Sequence, residues 1–292
     1  MLFRSSLRPE AAAACGPAPA CRRTGPWGLR ARARDRSAGA GTGFAVSFYN
    51  CYVIPSPKDS RHGIFETLGQ MAEIMSRGGG VGINVSSLRP RYSYVKGVNG
   101  RSSGAVSWAS LYSFVTGLIE QGGSRRGALM LILNVWHPDV VDFINSKKEA
   151  GKITNANISV GITDDFMEAV KNDLPWDLVF PDPSDPLYEN NWDGNMQKWK
   201  ELGGRLIKHK TLRAQDIWTN IIESAWKSAE PGMYFIDRAN TASNSWYYSA
   251  LPCTNPCGEQ PLPAWGVYNL GPCPVPGGKI AFVSDRNAFK AT

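Results

Sequence analysis

The 292-residue sequence predicts an α/β fold on three observations. Five short β-branched and apolar runs recur along it, and amphipathic helical patterns fall between them. The connections are long enough for the crossovers that parallel strands need. Hydrophobic residues make up 42% of the chain, ample for a core. Periodicity leaves open whether the sheet is open or part of a barrel.

The first run, 46–54 (VSFYNCYVI), reads as a buried strand carrying Cys51, and Pro55 and Pro57 end it. Ile64, Phe65, Leu68, Met71, Ala72 and Met75 then recur at helical spacing as far as the glycines 78–80. A second strand follows at 81–85. The triple glycine lacks both the Lys-Ser/Thr pair of a phosphate loop and a G-x-G-x-x-G pattern, so what it offers is close backbone approach to a ligand. Residues 94–104 form a Gly/Asn/Ser loop with Lys96 and Arg101, readable as a solvated turn or as a flexible loop around an anionic ligand. The next helix carries Val106, Leu111, Phe114, Val115, Leu118 and Ile119 and stops at Gly122 and Gly123.

A third strand is expected at 128–133. His137 and Pro138 open a helix through Val140, Val141, Phe143 and Ile144, with His137 read as a cap or core residue. The polar loop 151–157 leads into a fourth strand, 158–162, after which Asp164 and Asp165 are expected to cap a helix. Residues 174–213, with PDPSDP, three tryptophans and a lysine-rich second half, read as an irregular insertion. A helix through Ile217, Trp218, Ile221, Ile222 and Trp226 ends at Pro231, and 233–237 is the fifth strand.

The net charge of +7 is concentrated at the N-terminus. Eight arginines in residues 1–40 stand against Glu10 and Asp35 and account for six of the seven charges. The remainder shows no basic stripe of the kind a nucleic-acid-binding body carries. Residues 1–43, rich in Arg, Ala and Gly, are expected to be a disordered leader. Two origins stay open for it: an organellar transit peptide, or an artefactual upstream extension. No run approaches the roughly 18 apolar residues of a membrane helix. The six cysteines, at 15, 21, 51, 253, 257 and 273, do not resemble a secreted disulfide framework, so a reduced, cytoplasmic setting is the default.

The stretch 251–270 (LPCTNPCGEQPLPAWGVYNL) concentrates chemistry. Pro252, Pro256, Pro261 and Pro263 make it a loop, and it gathers Asn255, Cys257 and Glu259. A Cys-x3-Cys pair could hold a metal, but the third cysteine of an iron–sulfur pattern is Gln260, and no Cys/His quartet exists. No metal site is expected; redox or radical thiol chemistry gains by elimination.

Several motifs resemble one family. NPCGEQPLPAWG, QGGSRRGA, NCYVIPSPKDS, RGGGVGIN, VKGVNGRSSGAVSW and ITNANISVG are similar, in order from about Phe44 to Leu270, to the catalytic subunit of ribonucleotide reductase. The nearest likeness is to its adenosylcobalamin-dependent class II enzymes, although no D-x-H-x-x-G cobalamin signature is present. The resemblance implies the first half, about five parallel strands, of a ten-stranded α/β barrel over 44–292, with 274–292 divergent. It implies reduction of ribonucleotides, chiefly ribonucleoside diphosphates, to deoxyribonucleotides for DNA synthesis. Adenosylcobalamin is the implied cofactor and dNTP or ATP the effectors. A thioredoxin-type reductant and a second copy in a homodimer are the implied partners, with neither nucleic acid nor membrane.

Residue by residue, the likeness makes Cys257 the thiyl-radical cysteine, Glu259 the general base and Asn255 the ligand of the substrate hydroxyls. Cys51 becomes one redox thiol, and Asn50 and Gly80 line the substrate site. Asp59, Ser60, Lys96 and Arg101 would bind the effector, and Lys152, Thr154, Asn155 and Asn157 would form the second specificity loop. One departure stands out: the second redox cysteine is expected eleven residues past Cys257, where this chain has Tyr268. Cys273 or Cys253 would have to substitute, or turnover would not complete. The alternative is a catalytically incomplete fragment, or frameshifted product, that retains nucleotide binding or dimerisation.

Overall fold

A computed structural model describes residues 49–121, 125–148, 152–268, 272–275 and 279–282. The expected leader, residues 44 and 45, residues 46–48 of the expected first strand, Gly122, Gly123, Gly151 and most of the 274–292 tail lie outside the described residues. Strand β1 (Cys51–Val53) leads to helix α1 (Arg61–Ser76) and β2 (Gly80–Asn84). Helix α2 (Ala105–Leu118), β3 (Leu129–Asn134), α3 (Val140–Asn145), β4 (Asn157–Ile162) and α4 (Asp164–Lys171) follow. Then come a hairpin of β5 (Pro175–Pro181) and β6 (Leu206–Arg213), helix α5 (Ala214–Ser228), β7 (Gly232–Phe235) and helix α6 (Ile236–Ala242). Three two-residue strands follow, β8 (Cys253–Thr254), β9 (Pro261–Leu262) and β10 (Val267–Tyr268), and a separate pair, Pro272–Val275 and Lys279–Phe282, comes after them.

The main sheet runs β7-β4-β3-β2-β1-β10. The five strands from β7 to β1 are parallel, and β10 pairs antiparallel with β1. Each parallel strand lies beside its predecessor, so the sheet winds in one direction. A doubly wound sheet would reverse its strand order at a switch point. The architecture is therefore α/β of the barrel type, a half-barrel of five strands, which decides what periodicity left open.

Alternation along the strands sends two sets of residues to opposite faces. Val81, Ile83, Leu129, Leu131, Leu133, Ile158, Val160 and Ile162 join the outer core with Met71, Met75, Tyr112, Phe143, Phe166 and Ile221 from the helices. The inner face carries Gly80, Gly82, Asn84, Met130, Ile132, Asn134, Ser159 and Gly161 by register. Val53, Met130, Ile132, Tyr234, Cys253 and Leu262 form a small inner cluster. Strand β2 is buried throughout, as suits a parallel strand covered on both faces.

Several expectations change. Thr163, not an aspartate, caps α4: its side chain accepts from Phe166 N, while Asp164 and Asp165 sit in the first turn and complement the helix dipole. The fifth strand stops at Phe235, and Ile236 and Asp237 lie in the first turn of α6 instead. Residues 174–213 are not irregular. β5 and β6 pair antiparallel around a bulge between Lys208 and Lys210. Their connection carries two short helices, Tyr188–Asn191 and Met196–Glu201. Trp136, Phe180, Tyr188, Trp192, Met196 and Trp199 pack together there as a separate core. No helix among the described residues is long and apolar enough to cross a membrane.

Gly82 has no room for a side chain: a Cβ would lie 1.9 Å from Thr254 O. Gly82→Ala is expected to lower stability by about 1–3 kcal/mol, the cost of an overpacked interior site. At Gly69 on α1, a Cβ would meet nothing within 4 Å. Gly69→Ala is expected to raise stability by about 0.5–1 kcal/mol through helix propensity. Urea unfolding midpoints of the two variants check both signs.

Candidate active site

The hairpin of β8 and β9 lies on the inner face of the half-barrel. Its base is pinned by Asn84, whose Nδ2 donates to Pro252 O at 2.9 Å and to Asn134 Oδ1 at 3.3 Å. Gly82 gives passage to Thr254, and Gly80 meets Pro256, where a Cβ would fall 2.7 Å from Pro256 Cγ. The tip thus arrives at the N-terminal ends of the parallel strands.

The tip is a tight turn. Asn255 N donates to Gln260 O at 3.1 Å, Gln260 N donates to Asn255 Oδ1 at 3.0 Å, and Gly258 N donates to Asn255 O at 3.0 Å. Gly258 adopts φ +83°, the left-handed region where glycine is favoured. From outside the hairpin, Asn157 Nδ2 donates to Pro256 O at 2.7 Å. Asn255 is fully buried, yet its Nδ2 has no hydrogen-bond partner among the described residues. An orphaned buried donor costs free energy unless something else satisfies it.

Cys257 is exposed at this tip. The protein crowding the turn still desolvates its sulfur; that, and then the Glu259 carboxylate, raise its pKa above the ordinary thiol value. Cys257 is a protonated thiol at neutral pH. Cys51 is half-buried and stands directly opposite Tyr268 in the β1–β10 pair. Burial, then Glu259, Cys51 and Cys257, raise the Tyr268 phenol, which places it within electrostatic reach of all three. Its hydroxyl, like Asn255 Nδ2, is buried without a hydrogen-bond partner among the described residues. Asn50 joins this group through its backbone, donating to Tyr268 O at 3.0 Å and accepting from Gly80 N at 2.7 Å. Cys253 is enclosed in the inner apolar cluster, and burial drives its pKa far up. Cys273 falls in the strand Pro272–Val275; its side chain lies outside the described residues.

The structure brings together Asn255, Cys257, Glu259, Cys51, Tyr268, Asn50, Gly80 and Asn157. It keeps Asp59, Ser60, Lys96 and Arg101 apart as a second group. Asp59 accepts from Arg89 Nε at 2.6 Å, from Arg89 N at 3.0 Å and from the Tyr188 hydroxyl. Among the described residues Oδ1 accepts only from Arg89 N, so a lone pair on that oxygen is left for a ribose hydroxyl. Ser60 is the N-cap of α1, accepting from Gly63 N at 3.0 Å. Residues 94–101 form a short hairpin rather than an open loop, with Tyr94 and Val95 paired to Arg101 and Gly100. Arg89 holds its base by donating to Tyr94 O at 3.2 Å, and Lys96 and Arg101 are exposed on it. His137 behaves as the expected core residue: its Nδ1 accepts from Asp139 N, so its Nε2 donates to Leu88 O at 2.8 Å. Burial lowers its pKa.

Sequence reasoning missed Asn84, Asn134, Arg89, Tyr188 and Glu230. Glu230 accepts from Ile158 N at 2.9 Å and pairs with Lys147 at 2.7 Å, bracing the start of β4. All act across 30 or more residues, and no local motif marks them. A cavity of about 1080 Å³ opens at the opposite, C-terminal ends of the strands, lined by Asn84, Asn134, Trp136, Trp176 and Pro252. It excludes Cys257 and Glu259, and lining acids such as Asp177 and Asp193 are already paired with Lys208 and Lys198. The chemistry of the side chains outweighs cavity size here, and the cysteine turn is the candidate site. Among the described residues, no group of three or more His, Cys, Asp or Glu could hold a metal ion.

Residues 49–274 match the family described as "Ribonucleotide reductase, barrel domain". The chain is 41% identical over 222 residues to a vitamin B12-dependent ribonucleoside-diphosphate reductase of Thermoplasma acidophilum, covering 76% of this chain and 26% of that protein. It is 36% identical over 222 residues to a protein of the same name from Mycobacterium tuberculosis, covering 76% of this chain and 29% of that one. It is 34% identical over 216 residues to the ribonucleoside-diphosphate reductase large chain of Cryptosporidium parvum, covering 72% and 27%. The chain therefore spans less than a third of the length of these relatives.

Glu259→Gln removes the carboxylate that disfavours the Cys257 thiolate. The apparent pKa of Cys257 should fall, and its alkylation at neutral pH should accelerate. Peptide-resolved iodoacetamide rates against pH check the sign; an unchanged or raised midpoint contradicts it.

Proposed function

The chain belongs to the ribonucleotide reductase barrel-domain family, and from that premise we propose that its cysteine turn reduces ribonucleotides, chiefly ribonucleoside diphosphates, to 2′-deoxyribonucleotides by a thiyl-radical route. The observation that carries the proposal is the turn itself. A buried amide donor without a partner, Asn255 Nδ2, lies two residues from an exposed, protonated thiol, and a carboxylate follows two residues later.

Each residue has a role that its chemistry suits. A thiyl radical forms by loss of a hydrogen atom, so the raised pKa of Cys257 keeps the S–H bond that the step needs. The radical sulfur takes the ribose 3′ hydrogen and later returns it. Glu259 accepts the 3′-hydroxyl proton, for which a neighbouring position on a tight turn is useful. Asn255 Nδ2 donates to a substrate hydroxyl and so gains the partner it lacks. Gly80 lets the turn and a ligand approach the strand end, and Asn50 stands beside it. Cys51 supplies one of the two thiols whose oxidation to a disulfide delivers two electrons as the 2′-hydroxyl leaves as water. A thioredoxin-type dithiol would reset that pair.

Two of the relatives are named as vitamin B12-dependent. Adenosylcobalamin, when bound, would supply the initial radical. The exposure of Cys257 fits such delivery from outside the chain, and Cys257 and Gly258 are the residues that would face the cofactor. Asp59, Ser60, Lys96 and Arg101 would hold a nucleoside triphosphate effector, with Lys152, Thr154, Asn155 and Asn157 forming the segment between effector and substrate.

One observation favours a second reading. Tyr268 occupies the position opposite Cys51, and a phenol forms no disulfide. Cys253 is sealed in an apolar cluster. On this reading the chain is a nucleotide-binding or dimerisation module that does not complete turnover.

Purified chain with adenosylcobalamin, a dithiol and a ribonucleoside diphosphate separates the two. Sustained deoxynucleotide that Cys257→Ser abolishes supports the reductase; absence of product with effector binding retained supports the module. A second expectation needs no turnover. Directly opposed residues of an antiparallel pair have Cα atoms about 4.5–5.5 Å apart, within the range a disulfide spans. Tyr268→Cys should therefore bridge to Cys51 on mild oxidation, seen as a linked peptide by mass mapping.

A further inference from the structure

Segment 152–157 carries no regular structure before β4, yet it is held firmly in place. Ser113, on the buried side of α2 and 1% exposed, accepts through its Oγ from both Thr154 N (3.1 Å) and Asn155 N (2.9 Å). One turn further along α2, Gly117 makes room for the Asn155 side chain, since a Cβ there would lie 2.4 Å from Asn155 Nδ2. Ile153 and Ala156 are buried, and Lys147 Nζ donates to Ala156 O at 2.6 Å. The segment then ends on Asn157, whose amide grips Pro256 O, the carbonyl immediately before Cys257.

The other end of α2 is tied as closely. Its first N–H, on Ala105, donates to Asp139 Oδ2 at 2.9 Å, and the same carboxylate accepts from Arg91 N. Residues 91 and 105 bracket the 94–101 hairpin, so one buried acid sets both of its ends. A single helix thus connects the base of that hairpin to the segment that holds the cysteine turn.

We propose that Ser113 is a positioning residue: it seats segment 152–157 on α2, so that Asn157 holds the Pro256 carbonyl and fixes the setting of Cys257. A hydroxyl that accepts from two successive backbone donors outside any ladder, Thr154 N and Asn155 N, is an anchor, because neither amide has a partner in a helix or strand. The bearing of this anchor on substrate choice rests on the ribonucleotide reading above. The seating itself does not.

The experiment uses the whole chain and two readouts that involve no nucleotide: hydrogen exchange over 152–157, and the pH profile of Cys257 alkylation resolved by peptide. In Ser113→Ala, exchange at Thr154 and Asn155 should rise about fivefold, the factor a net hydrogen bond represents. The apparent pKa of Cys257 should shift with it. Ser113→Thr keeps the oxygen and should restore both values. Gly117→Ala favours the helix while crowding Asn155, so it should release the segment without weakening α2. Asn157→Ala should shift Cys257 while leaving Thr154 and Asn155 protected.

Wild-type protection at 154 and 155 in Ser113→Ala overturns the proposal, as does an unchanged Cys257 profile in both Ser113→Ala and Asn157→Ala. A uniform rise in exchange across the main sheet in both Ser113→Ala and Gly117→Ala also overturns it, because Ser113 would then serve general stability. Failure to reduce nucleotides leaves each of these outcomes readable.

Discussion

The contact between the glycines of β2 and the β8–β9 hairpin underlies everything the site does. A strand buried on both faces usually presents side chains to both, but β2 presents hydrogen at 80 and 82 on its inner face. That absence lets backbone pack on backbone, with Thr254 O over Gly82 and Pro256 over Gly80. A loop with four prolines cannot hold itself by a long hydrogen-bond ladder. It takes its rigidity from the sheet below, through the Asn84 clamp at its base and the Asn157 clamp near its tip. Functional groups on a loop gain precision when a rigid element sets that loop.

This arrangement also decides which end of the half-barrel holds the candidate site. In α/β barrels the sites commonly gather at the C-terminal ends of the strands. Here the hairpin crosses the inner face and delivers Cys257 to the N-terminal ends, beside Cys51, Gly80 and Asn157. The C-terminal end holds a roomy cavity and the β5–β6 excursion, whose acids are largely neutralised by lysines and arginines of the same excursion. The electrostatics at the cysteine end point the other way. Crowding and Glu259 act together to keep Cys257 protonated, a setting suited to hydrogen-atom chemistry and unsuited to a thiolate nucleophile.

Much of the fold could be read from local signals. The five parallel strands come from runs such as ALMLIL and ISVGI, in which every second residue enters the outer core. Helix α1 is legible from Ile64 through Met75, because apolar spacing is local, whereas the Ser60 cap emerges only from the structure. The β5–β6 hairpin was not legible: β5 begins and ends on proline, β6 is mostly exposed, and the tryptophans that stabilise its connection look like loop residues until they meet Trp136. The glycines 78–80 read as a close-approach position and Gly82 did not, and what approaches Gly80 and Gly82 lies about 170 residues further along the chain.

The sequence by itself marked Asn255, Cys257 and Glu259 as the candidate set, together with Cys51 and the departure at Tyr268. Residue types and spacing within one turn suffice for that. Only the tertiary structure decided that Tyr268 faces Cys51 directly, that Asn255 retains an unsatisfied buried donor, and that Asp59 is already engaged by Arg89 and Tyr188. Those are statements about partners far away in the chain. Strand register, burial and side-chain pairing settle them, and no local pattern encodes which distant group arrives.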